Sequence, residues 1–524
     1  MQEVSKHMSK VFRYDEVPAV ETTSGAVQGY FYDGVYIFKG IPYAWAERFQ
    51  MPQPIHWEGV KDANNYGFVC PLLRQETPNG ELMVPHRYWL QDEHCQSLNI
   101  WTNQLEKGAK KPVLVWIHGG GYEAGSSIEQ VAFDGKNIAE RGDAVLVSVN
   151  HRLNILGYLD LSPFEEKYKN SANAGHADLV AALQWVHDNI TAFGGDPENV
   201  TIFGQSGGGM KVIDLMQIPA ADGLFQKALV MSGVIDEIPM RGDAKQDGRK
   251  IVEALLEELH LDVENVERLE TIPYRQLADA YLKVSPALAA QGIYVGNVPK
   301  ANEYYVGAPQ DVGFREHAYQ IPMMIGTVYG EFAFAPAGCN KYQMSEAEIR
   351  AAVEKVYGEH TDQVITAFTK AYPEKNVLDL LSIDRAIREA SVRVAKLFAQ
   401  GSGKAYLYNF IFEFPFHHGK TAWHCSDIPF FFGNTDLVEF CGIPEVAEKL
   451  EDEIFGALLH FARAGEPGNE ILPWPAVTPE DVPTMTFDRE SRVRHNYDDE
   501  VFAEINKVLP PFNFADMAGE DIQH

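Results

Sequence analysis

Residues 199–212, NVTIFGQSGGGMKV, predict a sharp turn between a strand and a helix. Residues 200–203 are β-branched or aromatic, as in a short buried strand, and the following MKVIDLMQI has apolar residues at near-helical spacing. Glycines lie two positions before and two positions after Ser206, where such a turn crowds the backbone. The pattern predicts a strained, exposed Ser206 at a helix start, where backbone N–H groups favour negative charge. A glycine-rich loop with an incidental serine is the alternative.

Apolar runs alternate with amphipathic segments along the chain. VLVWIHG (113–119) and AVLVSVN (144–150) are continuously apolar, as in parallel strands that are covered on both faces. DLVAALQWVHDNI (178–190) and RKIVEALLEELH (249–260) have the periodicity of amphipathic helices. This alternation predicts an α/β fold with a central, mostly parallel sheet flanked by helices.

The domain organisation follows from where this alternation stops. Residues 260–320 and 340–400 look mainly helical, and no repeat, low-complexity segment or linker marks a domain boundary. We therefore expect one domain over residues 1–524, with the two helical segments as insertions that form a cap or side subdomain.

The charge balance restricts the partners of the protein. The chain has 44 basic and 74 acidic residues, and a net charge of −30 argues against nucleic acid or an anionic membrane as a partner. No apolar stretch approaches the roughly 20 residues that span a bilayer, and the opening MQEVSKHMSKVFRYDEV lacks the apolar core of a signal peptide. Five cysteines without a C-x-x-C pair, and the absence of H-E-x-x-H, predict no metal site. We expect a cytoplasmic protein, while its oligomeric state stays open.

A second glycine-rich loop, HGGGY at 118–122, directly follows the apolar run VLVWI. Successive glycines let backbone N–H groups approach a developing oxyanion without interference from a Cβ atom. Gly120 and Gly121 could supply two such donors, and Gly207, directly after the serine, a third. An ordinary tight turn is the alternative for this loop alone. A loop of this type upstream of G-x-S-x-G is the pairing found in α/β-hydrolases.

The order of several longer blocks resembles the type-B carboxylesterase family, which includes the cholinesterases. The resemblance covers residues 22–488 and rests on FKGIPYAWAERFQMPQPIHW, DEHCQSLNIWT, VSVNHRLNILGYLDL, DNITAFGGDPENVTIFGQSGGG and AWHCSDIPFFFG. The segment G-Q-S-G-G-G-x-K-V is similar to that of a bacterial branch. The resemblance implies an α/β-hydrolase fold and a serine esterase that works through an acyl-enzyme and needs no cofactor.

The resemblance also implies a general base in a segment similar to H-G-x-D-x-P-x-x-F-G. His424 opens HCSDIPFFFG, with Cys425 in place of the usual glycine. His417 and His418 lie nearby but lack the downstream pattern, so we expect edge-of-site or solvated residues there. His424 would take the proton of Ser206 and return it to the leaving alcohol.

The acid that orients this base is implied by a pattern similar to I-G-x-x-x-x-E-G. In MMIGTVYGEFAFA, Glu331 lies five positions after Gly326, although Phe332 stands where the family has a glycine. Asp236 and Glu237, beyond MSGV, are the alternatives. The chain order serine, glutamate, histidine matches that of α/β-hydrolases.

Other departures from the family bear on specificity and on the scaffold. Gln205 precedes the serine, where cholinesterases have a glutamate, so a preference for cationic choline esters is not expected. Lys211 stands where many relatives carry serine, and no role for it is evident from the sequence. Cys70 and Cys95 match the family's first disulfide loop, but a cytoplasmic location favours free thiols. Tyr88 and Trp89, within that loop, could line the active-site gorge of the family.

The sequence therefore predicts a serine hydrolase that cleaves neutral, small-molecule carboxylic esters. An amidase, a lactonase or a lipid esterase could use the same residues and is the first alternative. A non-catalytic binding protein like the neuroligins is the second. It is disfavoured because this chain retains all three candidates for the catalytic triad, Ser206, Glu331 and His424.

Overall fold

Strands and helices alternate along the chain in a computed structural model that describes residues 10–74, 86–236, 246–334 and 338–512. The strands are β1 (Phe12–Arg13), β2 (Val20–Thr22), β3 (Gly25–Gln28), β4 (Tyr30–Tyr32), β5 (Val35–Pro42), β6 (Val60–Asp62), β7 (Ser97–Thr102), β8 (Lys111–Ile117), β9 (Val145–Val149), β10 (Gly195–Gln205), β11 (Lys227–Met231), β12 (Met323–Val328), β13 (Ala405–Phe410), β14 (Glu413–Phe414), β15 (Lys420–Thr421), β16 (Pro483–Phe487) and β17 (Arg492–His495).

The helices complete this alternation. They are α1 (Lys136–Glu140), α2 (Asn154–Tyr158), α3 (Ala174–Asn189), α4 (Gly207–Met216), α5 (Arg249–Glu258), α6 (Tyr274–Ala289), α7 (Pro309–Val312), α8 (Glu346–Tyr357), α9 (Thr361–Ala371), α10 (Arg388–Gln400), α11 (Ile428–Phe432), α12 (Ala447–Ala464) and α13 (Asp499–Ile505).

One large sheet runs through the centre of the described chain. Its strand order is β1-β4-β5-β7-β9-β8-β10-β11-β12-β13-β16-β17. All neighbouring pairs from β9 to β16 are parallel, and the strands at both edges are antiparallel. The predicted class, an α/β fold with a central, mostly parallel sheet flanked by helices, is confirmed.

Both faces of this sheet are buried, as the continuously apolar runs predicted. In β8, Leu114 and Trp116 point into one apolar cluster, while Val113, Val115 and Ile117 point into another on the opposite face. All five side chains are essentially inaccessible to solvent. Strands covered by helices on both faces have no polar face to present, so they are apolar at every position.

The connections bring the candidate residues to one edge of the sheet. Ser206 lies between β10 and α4, HGGGY follows β8, and Glu331 follows β12. Because β8, β10 and β12 are parallel to their neighbours, these loops all emerge at the carboxyl ends of the strands. In open α/β sheets this edge is where ligands bind.

Helices occupy much of both predicted insertions. Residues 260–320 contain α6 and α7, and residues 340–400 contain α8, α9 and α10. Helix α10 packs on β12 and β13 of the large sheet. The assignment of the two segments as a cap or side subdomain of a single domain stays a prediction. No helix in the described ranges is both long and apolar enough to cross a bilayer.

Candidate active site

The turn at Ser206 is strained, as its glycine neighbours predicted. Ser206 has φ 56° and ψ −125°, a conformation that a side chain with a Cβ rarely adopts. Its N–H donates to the carbonyl of Met231 at 2.8 Å, and its carbonyl accepts from Met210 N at 3.0 Å. A Cβ on Gly208 would lie 2.0 Å from the carbonyl oxygen of Ile117, so only glycine fits there. The side chain of Ser206 is partly exposed at the start of α4.

The HGGGY loop packs directly against this turn. Gly120 and Gly121 have φ of +88° and +61°, the left-handed region that favours glycine. A Cβ on Gly207 would lie 2.4 Å from the backbone nitrogen of Gly121. Within the described ranges, the N–H groups of Gly120, Gly121 and Gly207 donate to no protein acceptor. The loop and the helix start therefore place unsatisfied backbone donors in close proximity.

His424 and Glu331 are in direct contact although 93 residues separate them. His424 Nδ1 lies 2.6 Å from Glu331 Oε2, and the two backbones are joined by a 2.8 Å hydrogen bond from His424 N to Glu331 O. The other carboxylate oxygen of Glu331 accepts from Val328 N at 2.9 Å. Glu331 is completely buried and His424 is 7% exposed. A carboxylate held in this way keeps the proton on Nδ1 and leaves Nε2 as an acceptor.

Gln205 contacts the other nitrogen of that ring, Nε2. Its Nε2 amide lies 3.2 Å from His424 Nε2, and its Oε1 accepts from Cys425 Sγ at 2.9 Å. The Ser206 hydroxyl makes no hydrogen bond to another described residue in this conformation. Cys425 has φ +73°, which explains the usual glycine of the family at this position. Two departures from the family pattern, Gln205 and Cys425, therefore contact each other beside His424.

Two further carboxyl groups lie near Glu331. Burial, and then the negative charge of Glu331, raise the pKa of Asp384 to about 7. Burial also raises the pKa of Asp427 to about 7, opposed by a 2.7 Å hydrogen bond from the Tyr408 hydroxyl. With pKa values of about 7, both groups are partly protonated near neutral pH.

The alternatives for the base and the acid lie elsewhere in the structure. Asp236 is exposed and forms an ion pair with Arg393, and Glu237 lies outside the described residues. His417 and His418 are exposed between β14 and β15, as expected of solvated residues. Neither histidine takes part in a hydrogen bond with Glu331.

A cavity of about 620 Å³ opens beside the residues that follow the three glycines. Its lining includes Glu123 and Gly125 of the loop, and Tyr88 and Trp89, which the sequence placed near the family's gorge. Tyr88, Trp89 and Leu90 are 65%, 41% and 69% exposed, so these three consecutive residues present an exposed apolar patch next to the cavity. We call Tyr88, Trp89 and Leu90 the aromatic rim.

The cysteine pair implied by the resemblance lies together in the interior. Cys70 and Cys95 are buried and are not joined by a disulfide bond. Burial, and then a hydrogen bond with Cys70, raise the pKa of Cys95 well above its ordinary value. The described residues contain no group of three or more His, Cys, Asp and Glu side chains that could hold a metal ion.

Three features of the site were not predicted from the sequence. These are the contact between Gln205 and Cys425, the carboxyl groups of Asp384 and Asp427, and the Phe332 ring, which stacks on His424 at 5.2 Å between centroids. The sequence could have indicated Asp427, because it lies within HCSDIPFFFG. It could also have indicated Phe332, because Phe332 replaces the family's glycine after Glu331.

A strained serine at a strand–helix turn, facing a glycine loop at the carboxyl edge of a mostly parallel sheet, defines the class of α/β-hydrolases. The comparisons with known proteins narrow this class. The family described as the carboxylesterase family matches residues 16–504. The chain belongs to this carboxylesterase family, and it is a hydrolase of carboxylic esters.

Individual proteins that are similar to this chain are also esterases or hydrolases. The para-nitrobenzyl esterase of Bacillus subtilis (strain 168) is 31% identical over 500 residues, 92% of this chain and 97% of that protein. The phenmedipham hydrolase of Pseudarthrobacter oxydans is 30% identical over 88% of this chain and 94% of that protein. A solved structure of an esterase from anaerobic Clostridium hathewayi, described as able to hydrolyse aliphatic aromatic polyesters, has a TM-score of 0.94. It is 52% identical over 96% of this chain and 100% of that one.

Proposed function

We propose that the enzyme hydrolyses neutral carboxylic esters with Ser206 as nucleophile, His424 as general base and Glu331 as the acid that orients the base. The main support is the 2.6 Å contact between His424 Nδ1 and Glu331, which leaves Nε2 as a proton acceptor beside Gln205, the neighbour of the serine. For the proton transfer, Nε2 exchanges its hydrogen bond with Gln205 for one with the Ser206 hydroxyl. Such bonds are commonly loose in free enzymes and tighten with substrate.

The chemistry then proceeds in two halves. Ser206 Oγ bonds to the acyl carbon while its proton passes to His424 Nε2, and the backbone N–H groups of Gly120, Gly121 and Gly207 bind the resulting oxyanion. The C–O bond to the alcohol breaks, and the alcohol leaves with the proton from His424. Water repeats the sequence on the acyl-enzyme, releases the carboxylic acid and restores Ser206. No metal or cofactor is required in any of these steps.

Labelling of the nucleophile tests this assignment. A fluorophosphonate probe should modify Ser206, detected by mass spectrometry of the labelled peptide. Ser206→Ala should remove the label and lower turnover of a para-nitrophenyl ester by several orders of magnitude. Labelling that persists in the variant would place the nucleophile elsewhere. An amidase or lactonase would instead show higher kcat/KM on matched amides or lactones than on the ester.

A specific observation favours polyesters as a second class of substrate. The esterase from Clostridium hathewayi that is 52% identical to this chain is described as acting on aliphatic aromatic polyesters. Here Tyr88, Trp89 and Leu90, the aromatic rim, are exposed, and Tyr88 and Trp89 line the cavity. Exposed apolar patches of this kind are suited to adsorption on an apolar polymer.

The rim can be tested separately from the chemistry. A Tyr88→Ala/Trp89→Ala variant should release acid from an aliphatic aromatic polyester film several-fold more slowly than the wild type, with an unchanged rate on a small soluble ester. Phe12→Ala is the matched control, because Phe12 is 63% exposed but lies in edge strand β1. Equal rates on the film for all three proteins would contradict a role of the rim.

We also propose that the enzyme acts in the cytoplasm, without a nucleic acid or membrane partner. The net charge of −30 and the five cysteines without C-x-x-C spacing support this proposal. Fractionation of cells that express the full chain would test the location.

A further inference from the structure

The helix that begins at Ser206 carries a buried lysine. Lys211 lies in α4 and its side chain is completely inaccessible to solvent. Its Nζ donates to the carbonyl oxygen of Gly121 at 2.7 Å. An amine removed from water is unfavourable unless it is hydrogen-bonded, so a lysine at this position is costly for the fold. The hydrogen bond with Gly121 indicates that the buried amine of Lys211 serves to hold the glycine loop.

The glycine loop depends on contacts that hold its carbonyl groups. The carbonyl of Gly119 accepts from His118 Nδ1 at 2.9 Å, and that of Gly120 accepts from Ala124 N at 3.0 Å. Both donors lie in the same short stretch of chain, residues 118–124. The carbonyl of Gly121 accepts instead from Lys211, on α4. Gly120 and Gly121 have left-handed conformations and no Cβ atoms, so their backbone is intrinsically flexible, and Lys211 restrains it from outside the loop.

The start of the same helix contacts Gly121 from its backbone. A Cβ on Gly207 would lie 2.2 Å from the Gly121 carbonyl oxygen and 2.4 Å from its nitrogen. Gly207 and Lys211 are four residues apart in α4, and therefore lie on the same face of this helix. Helix α4 thus contacts Gly121 twice, through the backbone of Gly207 and through the side chain of Lys211.

Among the described residues, no carboxylate forms an ion pair or hydrogen bond with the Lys211 amine. Asp214, the nearby acid, accepts hydrogen bonds from the hydroxyls of Tyr122 and Tyr305 at 2.6 Å each, and from His176 at 3.1 Å. Burial lowers the pKa of Lys211 to about 7, although the charge of Asp214 opposes this. Both the neutral amine and the ammonium can donate to the carbonyl of Gly121.

We propose that Lys211 is a positioning residue of the oxyanion hole: by binding the Gly121 carbonyl it restrains the backbone dihedrals of Gly121, and so directs the Gly121 N–H toward the same point as the N–H of Gly207. This inference rests on the roles proposed above for Gly120, Gly121 and Gly207. It explains a residue for which the sequence offered no role. Lys211 does not contact the substrate and acts through Gly121.

The test compares Lys211→Met with a matched control. Methionine has a similar length but no donor, and loss of a buried amine removes a desolvation cost, so the variant is expected to fold. Loss of one complete oxyanion donor typically lowers kcat by about 100- to 1,000-fold. A misplaced donor should cost less, so we expect kcat to fall about 10- to 100-fold with nearly unchanged KM. Lys227→Met is the control, because Lys227 is also buried but begins β11, at the opposite end of the sheet.

Inhibitors distinguish a positioning role from a general structural one. A trifluoromethyl ketone forms a tetrahedral adduct with the serine, whereas the matching methyl ketone binds mainly as the intact ground state. Lys211→Met should weaken the first inhibitor by the same factor as kcat/KM and leave the second unchanged. Lys227→Met should change neither inhibitor.

Several results would overturn the inference. These are an unchanged kcat in Lys211→Met, equal weakening of both ketones, or a variant that does not fold, which would make the amine a structural group. Failure of the trifluoromethyl ketone to inhibit the wild type would contradict the proposed nucleophile and oxyanion hole, and this inference with them.

Discussion

The contact between Gln205 and His424 makes Gln205→Glu an informative perturbation. Gln205 is 1% exposed, and its Nε2 lies 3.2 Å from His424 Nε2, the ring nitrogen that we propose receives the proton of Ser206. Glutamate has the same shape, so the variant places a carboxylate oxygen where the amide nitrogen now lies. The carboxylate would stabilise the protonated ring, and the acidic limb of the kcat/KM profile should move to higher pH.

The structure sets limits on the size of this shift. Two unit charges 3.2 Å apart attract by about 5 kcal/mol at an effective dielectric constant near 20, an upper limit of almost 4 pKa units. Burial and the charge of Glu331 oppose ionisation of the new carboxyl, as they do for Asp384 and Asp427, whose pKa values are raised to about 7. We therefore expect a net rise of about 1 to 2 units in the apparent pKa of the acidic limb.

The assay is kcat/KM for a neutral para-nitrophenyl ester between about pH 5 and 9. In the wild type the acidic limb should have an apparent pKa of roughly 6 to 7, near that of an ordinary histidine. Gln184→Glu adds the same charge on the exposed part of α3 and should leave the limb in place. An acidic limb that does not move in Gln205→Glu would refute the contact as the source of the effect.

The same pair of enzymes tests charge selectivity. Because position 205 is neutral, the wild type should hydrolyse neutral esters with higher kcat/KM than choline esters of the same acyl group. Gln205→Glu should narrow this difference, since a charge about 4 Å away contributes about 1 to 4 kcal/mol. A wild-type preference for the choline ester would show that other residues, such as the aromatic rim, bind the cation.

Other perturbations of the site have equally defined outcomes. Glu331→Gln keeps an acceptor for Val328 N but loses the charge that we propose orients His424. The value of kcat should therefore fall by about 1,000- to 10,000-fold, while the thermal midpoint stays close to that of the wild type. A nearly active variant would exclude Glu331 as the acid. His424→Ala should abolish ester hydrolysis, whereas His417→Ala and His418→Ala should retain it, and the reverse pattern in the same assay would reassign the base. Burial raises the pKa of Asp427 to about 7, so the folded protein holds a proton that the unfolded chain loses above about pH 4. The free energy of unfolding should therefore fall between about pH 4 and 7, and Asp427→Asn should reduce this fall in urea titrations. An equally steep fall in the variant would exclude Asp427 as its source.

Local patterns in the sequence were sufficient for the fold class and for the turn at Ser206. Apolar runs without a polar face identify strands covered on both sides, and glycines on both sides of the serine mark a turn with no room for Cβ atoms. These are short-range constraints, so they can be read from consecutive residues. The limits of the elements were less certain, since β10 begins at Gly195 rather than at residue 200.

Contacts between distant parts of the chain were decided only by the tertiary structure. Cys425 and Gln205 are 220 residues apart, and Lys211 and Gly121 are 90 apart. In the sequence, Gln205 and Cys425 are only departures from a family pattern. Lys211 has no evident role there, and Gly121 is one of several glycines in a loop. Their meaning comes from distance and burial, which depend on how the parallel strands bring separate loops to one edge. The raised pKa values of Asp384 and Asp427 have the same origin, because desolvation and a neighbouring charge exist only once the chain has folded.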